Sequence, residues 1–311
     1  MALSVTQQVA VSYNAVLAAM KKEAENQWAE SAFMRELERQ GAIKVGNFGS
    51  QLDVPLDYRR NTGTKFLATD LETVSTSKTE VITSALYDIA EIVSPIVWST
   101  KDEVQNPSEN QKVDLVEQIL TNGIESHDDL IEDKIFETST NGFLGLKTLI
   151  PDNGQSSAGG IDSTDETFWR SQNATYVDDT DIENAFTTVW NACTKGSGSK
   201  LMATGMVSDS ATQATFEGTQ TPNQRYVDTQ DLKAGFKVLA FKTCRYVFSQ
   251  YADTDVYFWN PKSLQLRVAK GFFRKRKETQ EFENANGSIG KIYSALQLVT
   301  NNRSRLGVAH V

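Results

Sequence analysis

"GGIDSTDETFWRSQ", running from Gly159 to Gln172, is the stretch on which the reading of this chain turns. It opens on a glycine pair and passes through Asp162, Asp165 and Glu166. It ends on two adjacent large aromatics, Phe168 and Trp169, followed by Arg170. Nothing in it has catalytic spacing. A flexible acidic turn is delivering two large rings to some surface, and the flanking segments show what kind of surface is on offer.

Upstream, "VQNPSENQKVDLVEQILTNGIESHDDLIEDKIF" predicts the clearest helix. Ser108 and Gln111 form a capping-box pattern just after Pro107. Val113, Val116, Leu120, Ile124, Ile131 and Ile135 make an inward stripe over about 28 residues, or about 42 Å. Gly123 in its middle costs about 1 kcal/mol against Ala and is a place for a kink. Before it, Asp53 to Ile89 reads as β. "TKFLATDLETV" and "TEVITSALYDI" flank a polar tip, Ser75 to Lys78, as a candidate hairpin with arms of about 30 Å. Neither face is consistently apolar. A two-stranded ribbon without a core face is marginal alone, so it is expected to lean on a neighbouring chain. Gly41 to Gly49 is a loop, and a short helix is predicted over Ser31 to Arg39. Val5 to Trp28 predicts a polar helix with a thin stripe (Val5, Val9, Ser12, Val16, Met20), too little to bury in a core and suited to lying across another subunit.

Downstream, "TDIENAFTTVWNACTKGSG" predicts an amphipathic helix burying Ile182, Phe186, Val189 and Cys193, ended by Gly196 and Gly198. "LMATGMV" reads as a strand and Ser208 to Glu217 as a helix. "KVLAFKTCRYVFS", "DVYFWNPKSLQLRVA" and "KIYSALQLV" read as strands. Helices and antiparallel strands interleave without a βαβ rhythm, so the fold class is α+β. There is no internal repeat.

The 311 residues suit one large or two medium domains, and 39% hydrophobic with 23% charged residues is an ordinary globular balance. A net charge of -9 argues against condensation on nucleic acid by bulk charge. The two cysteines, Cys193 and Cys244, are too few for a disulfide framework and are expected as buried small hydrophobes in a reducing compartment. The start, "MALSVTQQVAVSY", shows no basic leader, and no apolar run reaches the length of a membrane span.

Tests for chemistry come back empty. His127, placed on the acidic face of the long helix, and His310 have no ligand spacing and are expected to be solvated or structural. "GSGSK" (Gly196 to Lys200) lacks the phosphate-loop pattern. Asp128 with Asp129, Asp178 and Asp179 with Asp181, and Asp253 with Asp255 are pairs that any acidic protein offers. An acidic hydrolase using a carboxylate pair is therefore a rival reading only. No catalytic residue, metal or cofactor is assigned. The one basic run, "FFRKRK", makes Arg274, Lys275, Arg276 and Lys277 candidates for contact with an acidic partner, another copy above all, or for a solvated strand end. On the hairpin, Lys65, Phe66, Leu67 and Lys78 are the contact candidates.

The order of segments then carries a resemblance. "VPLDYRRNTGTKF", "GLKTLIPD", "GGIDSTDETFWRSQ", "RYVDTQDLKAGFKVLAFKTCRYVFS", "VYFWNPKSLQLRV" and "NNRSRLGVAHV" follow one another as in the major capsid proteins of tailed bacteriophages, which have the Hong Kong 97 type of shell fold. The likeness runs from about Asp53 to Val311. It implies a non-enzymatic subunit that self-assembles into hexamers and pentamers and closes an icosahedral shell around a double-stranded DNA genome, in the virion and assembled in the bacterial host cytoplasm. It implies an N-terminal arm (1–50), an extended loop (51–95), a peripheral domain with a spine helix (96–171), an axial domain (172–262) and returning strands (263–311). Gly159 and Gly160 would turn the chain between domains, Phe168 and Trp169 would anchor that turn, and Arg170 would pair nearby. The arm begins almost at Met1, which implies a separate scaffold protein or a segment already removed. A portal protein and a decoration protein are the other implied partners, with no membrane. Some such shells join subunits by Lys–Asn bonds, but no asparagine or catalytic acid can be matched to Lys65 or Lys78. An encapsulin-like nanocompartment, with an enzyme-loading groove in place of a genome, is the alternative on the same fold.

Overall fold

The computed structural model describes residues 31–47, 49, 51–61, 63–68, 73, 77–101, 109–177, 181–194, 202–220, 239–281 and 286–311. The expected helix Val5 to Trp28, the cap Ser108, Ser75 and Thr76 of the hairpin tip, the pair Asp178 and Asp179, and the Gly196 to Lys200 linker lie outside the described residues, as do the side chains of Val113 and Val116.

Helix α1 (Ala32–Arg39) starts at Ser31, whose hydroxyl accepts from the Met34 N–H at 3.1 Å. It buries Phe33, Met34 and Leu37 in the main core. Helix α1 is thus packed on the main core, because three apolar residues on one face outweigh its charged remainder. Strand β1 (Ile43–Gly46) follows, then β2 (Gln51–Asp57) and β3 (Ile82–Asp88), paired antiparallel from Gln51 opposite Asp88 to Asp57 opposite Ile82. The hairpin is present, but its outgoing arm is "QLDVPLD". None of the described residues of "TKFLATDLETV" is in a strand. Its base also has an apolar face. Leu52, Val54 and Leu56 are buried between exposed neighbours, and Ala85 and Tyr87 join them in the main core. At about 1.5–3 kcal/mol per buried aliphatic side chain, the base is held by its own molecule. Among the described residues of 58–81 no strand continues it.

Strand β4 (Ala90–Ser99) was not expected. Helix α2 (Glu109–Phe136) has the expected 28 residues and buries Leu120, Ile124, Ile131 and Ile135. Gly123 faces β4, and a Cβ there would stand 3.1 Å from Cγ1 of Ile96, so close packing explains the glycine. A short α3 (Leu146–Leu149), the two-residue strands β5 (Ser157–Ala158) and β6 (Ile161–Asp162), and a 3₁₀ turn (Thr167–Trp169) lead into β7 (Gln172–Thr175). Then come α4 (Ile182–Cys193), β8 (Gly205–Ser208), α5 (Ser210–Thr219), β9 (Leu239–Phe241), β10 (Cys244–Phe248), β11 (Val256–Trp259), β12 (Leu264–Ala269), β13 (Lys275–Glu281), β14 (Gly287–Thr300) and β15 (Gly307–His310). "KVLAFKTCRYVFS" is thus two strands, reversed at Lys242, which takes φ 53.

Two sheets organise these elements. In the five-stranded sheet, β14 carries β4 along one edge, and β12 and then β13 along the other, with β1 parallel to β12 beyond. The six-stranded sheet runs β7-β15-β11-β8-β10-β9. It is apolar on both faces, and its period of two feeds two cores. Val207, Val247, Tyr257, Trp259 and Val308 enter the main core shared with α2 and the other sheet. Met206, Tyr246, Val256, Phe258 and Ala309 enter a second core under α4 and α5. All four residues expected on the buried face of α4 are in that second core.

Candidate functional site: the ribbon and its socket

The opening stretch folds as a socket for the ribbon base. Ser157 pairs with Asp162 and Ala158 with Ile161, leaving Gly159 and Gly160 as a two-residue turn at φ 62 and φ 74. Two consecutive positive φ values are the hairpin geometry that glycine favours. The pair therefore reverses the chain within one hairpin, and the polypeptide enters the six-stranded sheet later, at Gln172. The Leu86 N–H of β3 donates to the Gly159 carbonyl at 3.0 Å. Phe168 is half-buried, with its ring 4.8 Å from that of Tyr58, the residue after β2. Trp169 is buried, and its Nε1 donates to the Ala158 carbonyl at 3.0 Å. Arg170 donates to the carbonyls of Ser163 and Thr164, at 2.9 and 3.3 Å.

Beneath the socket lies a residue that sequence reasoning missed. Arg303 is fully buried. It donates from Nε to the Leu149 carbonyl at 2.8 Å, and from Nη1 and Nη2 to the carbonyl and hydroxyl of Ser156 at 2.8 and 2.7 Å. Burial pulls its pKa down to about 10. Tyr87 also reaches this region, its hydroxyl donating to the Thr300 carbonyl at 2.8 Å, and burial pushes the phenol up. "GLKTLIPD", "GGIDSTDETFWRSQ" and "NNRSRLGVAHV" thus meet at one place. No local pattern marks Arg303, because its partners stand about 150 residues away in sequence.

In the segment between β2 and β3, Phe66 is fully exposed and Leu67 is 56% exposed. Lys65 Nζ donates to the Thr73 carbonyl at 2.9 Å, and Lys78 is exposed. The basic run divides. Arg274 turns inward and grips Asp128 of α2 with two hydrogen bonds, 2.9 and 2.5 Å. Lys275 and Lys277 lie outward, with their ammonium groups 4.3 Å from the Phe272 ring and 5.3 Å from the Tyr293 ring. Arg276, between them, is half-buried.

His127 is not on the exposed acidic face of the helix. It is fully buried between α2 and the five-stranded sheet, with Nδ1 2.8 Å from Ser94 Oγ and Nε2 2.8 Å from Ser294 Oγ. Burial, then nearby Arg274, lowers its pKa to about 4. Burial raises Asp128 to about 6, although Arg274 pulls the other way. Of the other acid pairs, Asp253 is bound to Lys147, and burial followed by Asp152 raises Asp255. Cys193 and Cys244 are buried in the second core. Among the described residues no group of three or more His, Cys, Asp or Glu is placed to hold a metal ion, and no helix is long and apolar enough to cross a membrane.

No protein-family model and no curated protein sequence matches the chain. Solved structures do. The capsid asymmetric unit of cyanophage A-1(L) superposes with a TM-score of 0.63 at 13% identity, over 89% of this chain and 90% of that one. A chain from Mycobacterium phage Bobi gives 0.56 at 10% identity, over 86% and 88%. The SrpI encapsulin of Synechococcus elongatus PCC 7942 gives 0.52 at 10% identity, over 88% and 86%. Each of these likenesses spans more than four fifths of both chains. The chain therefore has the Hong Kong 97-type shell fold.

Proposed function

We propose that the chain is a major capsid protein. It is a non-enzymatic subunit that self-assembles through hexamers and pentamers into an icosahedral shell around a double-stranded DNA genome, in the virion of a tailed bacteriophage. The observation that carries this reading is the division of the ribbon. Its base is buried in its own core, whereas the segment joining its two strands holds Phe66 and Leu67 bare to solvent, an arrangement that makes sense when a second copy covers them. In a shell each such contact can stay weak, because closure multiplies it. Lys65, Lys78 and the outward Lys275 and Lys277 are the polar contact residues of this reading. A separate scaffold, a portal and a decoration protein are its expected partners, the bacterial cytoplasm its place of assembly, and the arm, loop, peripheral and axial divisions its domain plan.

The test replaces residues 58–81 with Asn-Gly, which closes β2 onto β3. Electron microscopy of the purified full chain is expected to show particles or capsomers, and of the trimmed chain, no closed shells. Normal particles from the trimmed chain would overturn the reading. A nanocompartment shell is the second reading, favoured by the likeness to the SrpI encapsulin. Particles carrying a packed enzyme and no DNA would select it.

A further inference from the structure

The ribbon leaves the body across four contacts drawn from separate parts of the chain. The Leu86 N–H is bonded to the Gly159 carbonyl, and Tyr87 is tethered to the Thr300 carbonyl. The Tyr58 ring rests on Phe168. The Cα of Gly159 faces β3 so closely that an added Cβ would lie 2.8 Å from the Cβ of Ala85 and 3.0 Å from Cζ of Tyr87. A two-stranded ribbon has no second layer to fix its course and twists readily. Its direction is therefore decided where it is held.

We propose that Gly159, Tyr87 and Phe168 are positioning residues that set the angle at which the ribbon leaves the body, and so the place where Phe66 and Leu67 meet another copy. The first half stands on the fold, and the second rests on the shell reading. Carbon atoms pack best at about 3.5–4.0 Å, so a methyl at 159 must move β3 by roughly 1 Å. The positive φ of Gly159 resists any side chain as well. Phe66 and Leu67 follow the Asp57–Ile82 end of the paired strands, so a rotation of the ribbon at the socket carries them with it.

The test is a pulsed EPR distance in the full chain between spin labels at Glu80→Cys on the ribbon and Ser139→Cys on the body. The native cysteines are buried away from the label. The parent is expected to give one narrow distance distribution. Gly159→Ala should move it by several ångströms, and Tyr87→Phe, which keeps the ring and removes the tether, should broaden it. If Gly159→Ala does not fold, Phe168→Leu removes the ring contact instead and should broaden the distribution likewise. Tyr87→Phe should also yield at least tenfold fewer closed particles by microscopy while still unfolding cooperatively. Unchanged distances in the variants overturn the positioning role, whatever the particles do. Distances that move in the variants, from a parent that never forms particles, uphold the positioning role and sink the shell reading.

Discussion

The guanidinium of Arg303 lies 6.0 Å from the ring centre of Trp169, and both side chains are buried beneath the ribbon socket. Arg303 supplies the donors for Leu149 and Ser156, and Trp169 supplies the apolar wall. Arg303→Met leaves those neutral acceptors unpaired and should cost about 1–3 kcal/mol. Arg303→Lys keeps the charge but loses the planar fork, and should recover only part of that. Urea unfolding measures both. A methionine variant as stable as the parent would show that the hub does not hold the socket together.

The basic run should separate by alternation. Arg274→Ala strands the half-buried carboxylate of Asp128 and should cost about 3–5 kcal/mol. Lys275→Ala with Lys277→Ala removes outward charges and should change stability by no more than about 0.5 kcal/mol. The double variant should instead weaken association in a salt-dependent way, read by sedimentation at low and high ionic strength. If the lysine pair proved the destabilising change and Arg274 the neutral one, the orientation of this strand would be refuted.

His127 and Asp128 should give opposite pH slopes. The folded His127 titrates near 4 against about 6.5 unfolded, so the unfolded chain holds more protons and stability falls as pH drops between those values. The folded Asp128 titrates near 6 against about 3.8–3.9 unfolded, so the folded chain holds more protons and stability rises as pH drops across that range. Each slope approaches about 1.4 kcal/mol per pH unit inside its window. The parent should therefore be nearly flat from pH 6 to 4. His127→Gln should gain stability on acidification, and Asp128→Asn should lose it. Denaturant unfolding at four pH values tests this, and parallel slopes for all three proteins would contradict it.

The ribbon tip should be silent in the monomer. Phe66→Ser with Leu67→Ser exchanges exposed apolar groups for polar ones, so the melting temperature of the dissociated subunit should stay within about 2 °C. Closed particles should become rare. A large drop in the melting temperature would mean that the tip packs on its own body.

The helices were legible because their apolar spacing and end signals are local: Leu120, Ile124, Ile131 and Ile135 mark α2, and Ile182, Phe186, Val189 and Cys193 mark α4. The strands were less so. "QLDVPLD" alternates cleanly, but Pro55 and its acids make it look like a loop beside the Thr- and Val-rich run that follows. β4 hides behind Pro95, tolerable because β4 pairs on one side only. The turn at Lys242 carries neither Gly nor Pro. His127 was misplaced by its acidic neighbours, although its spacing from Ile124 and Ile131 puts it on the buried stripe. The socket itself joins residues near 57, 86, 150, 159, 168 and 303, and no window along the chain contains it.

Strand β15 lies between β7 and β11, and its parallel partner β7 precedes it by more than a hundred positions. A ribosome adding roughly 5–20 residues per second needs on the order of ten seconds to travel from one to the other. Throughout that interval the nascent sheet has a vacant lane one strand in from its edge, between the open edges of β7 and β11. The strand order thus builds an exposed interval into the protein's own synthesis, and chaperone demand should peak before Gly307–His310 joins the sheet.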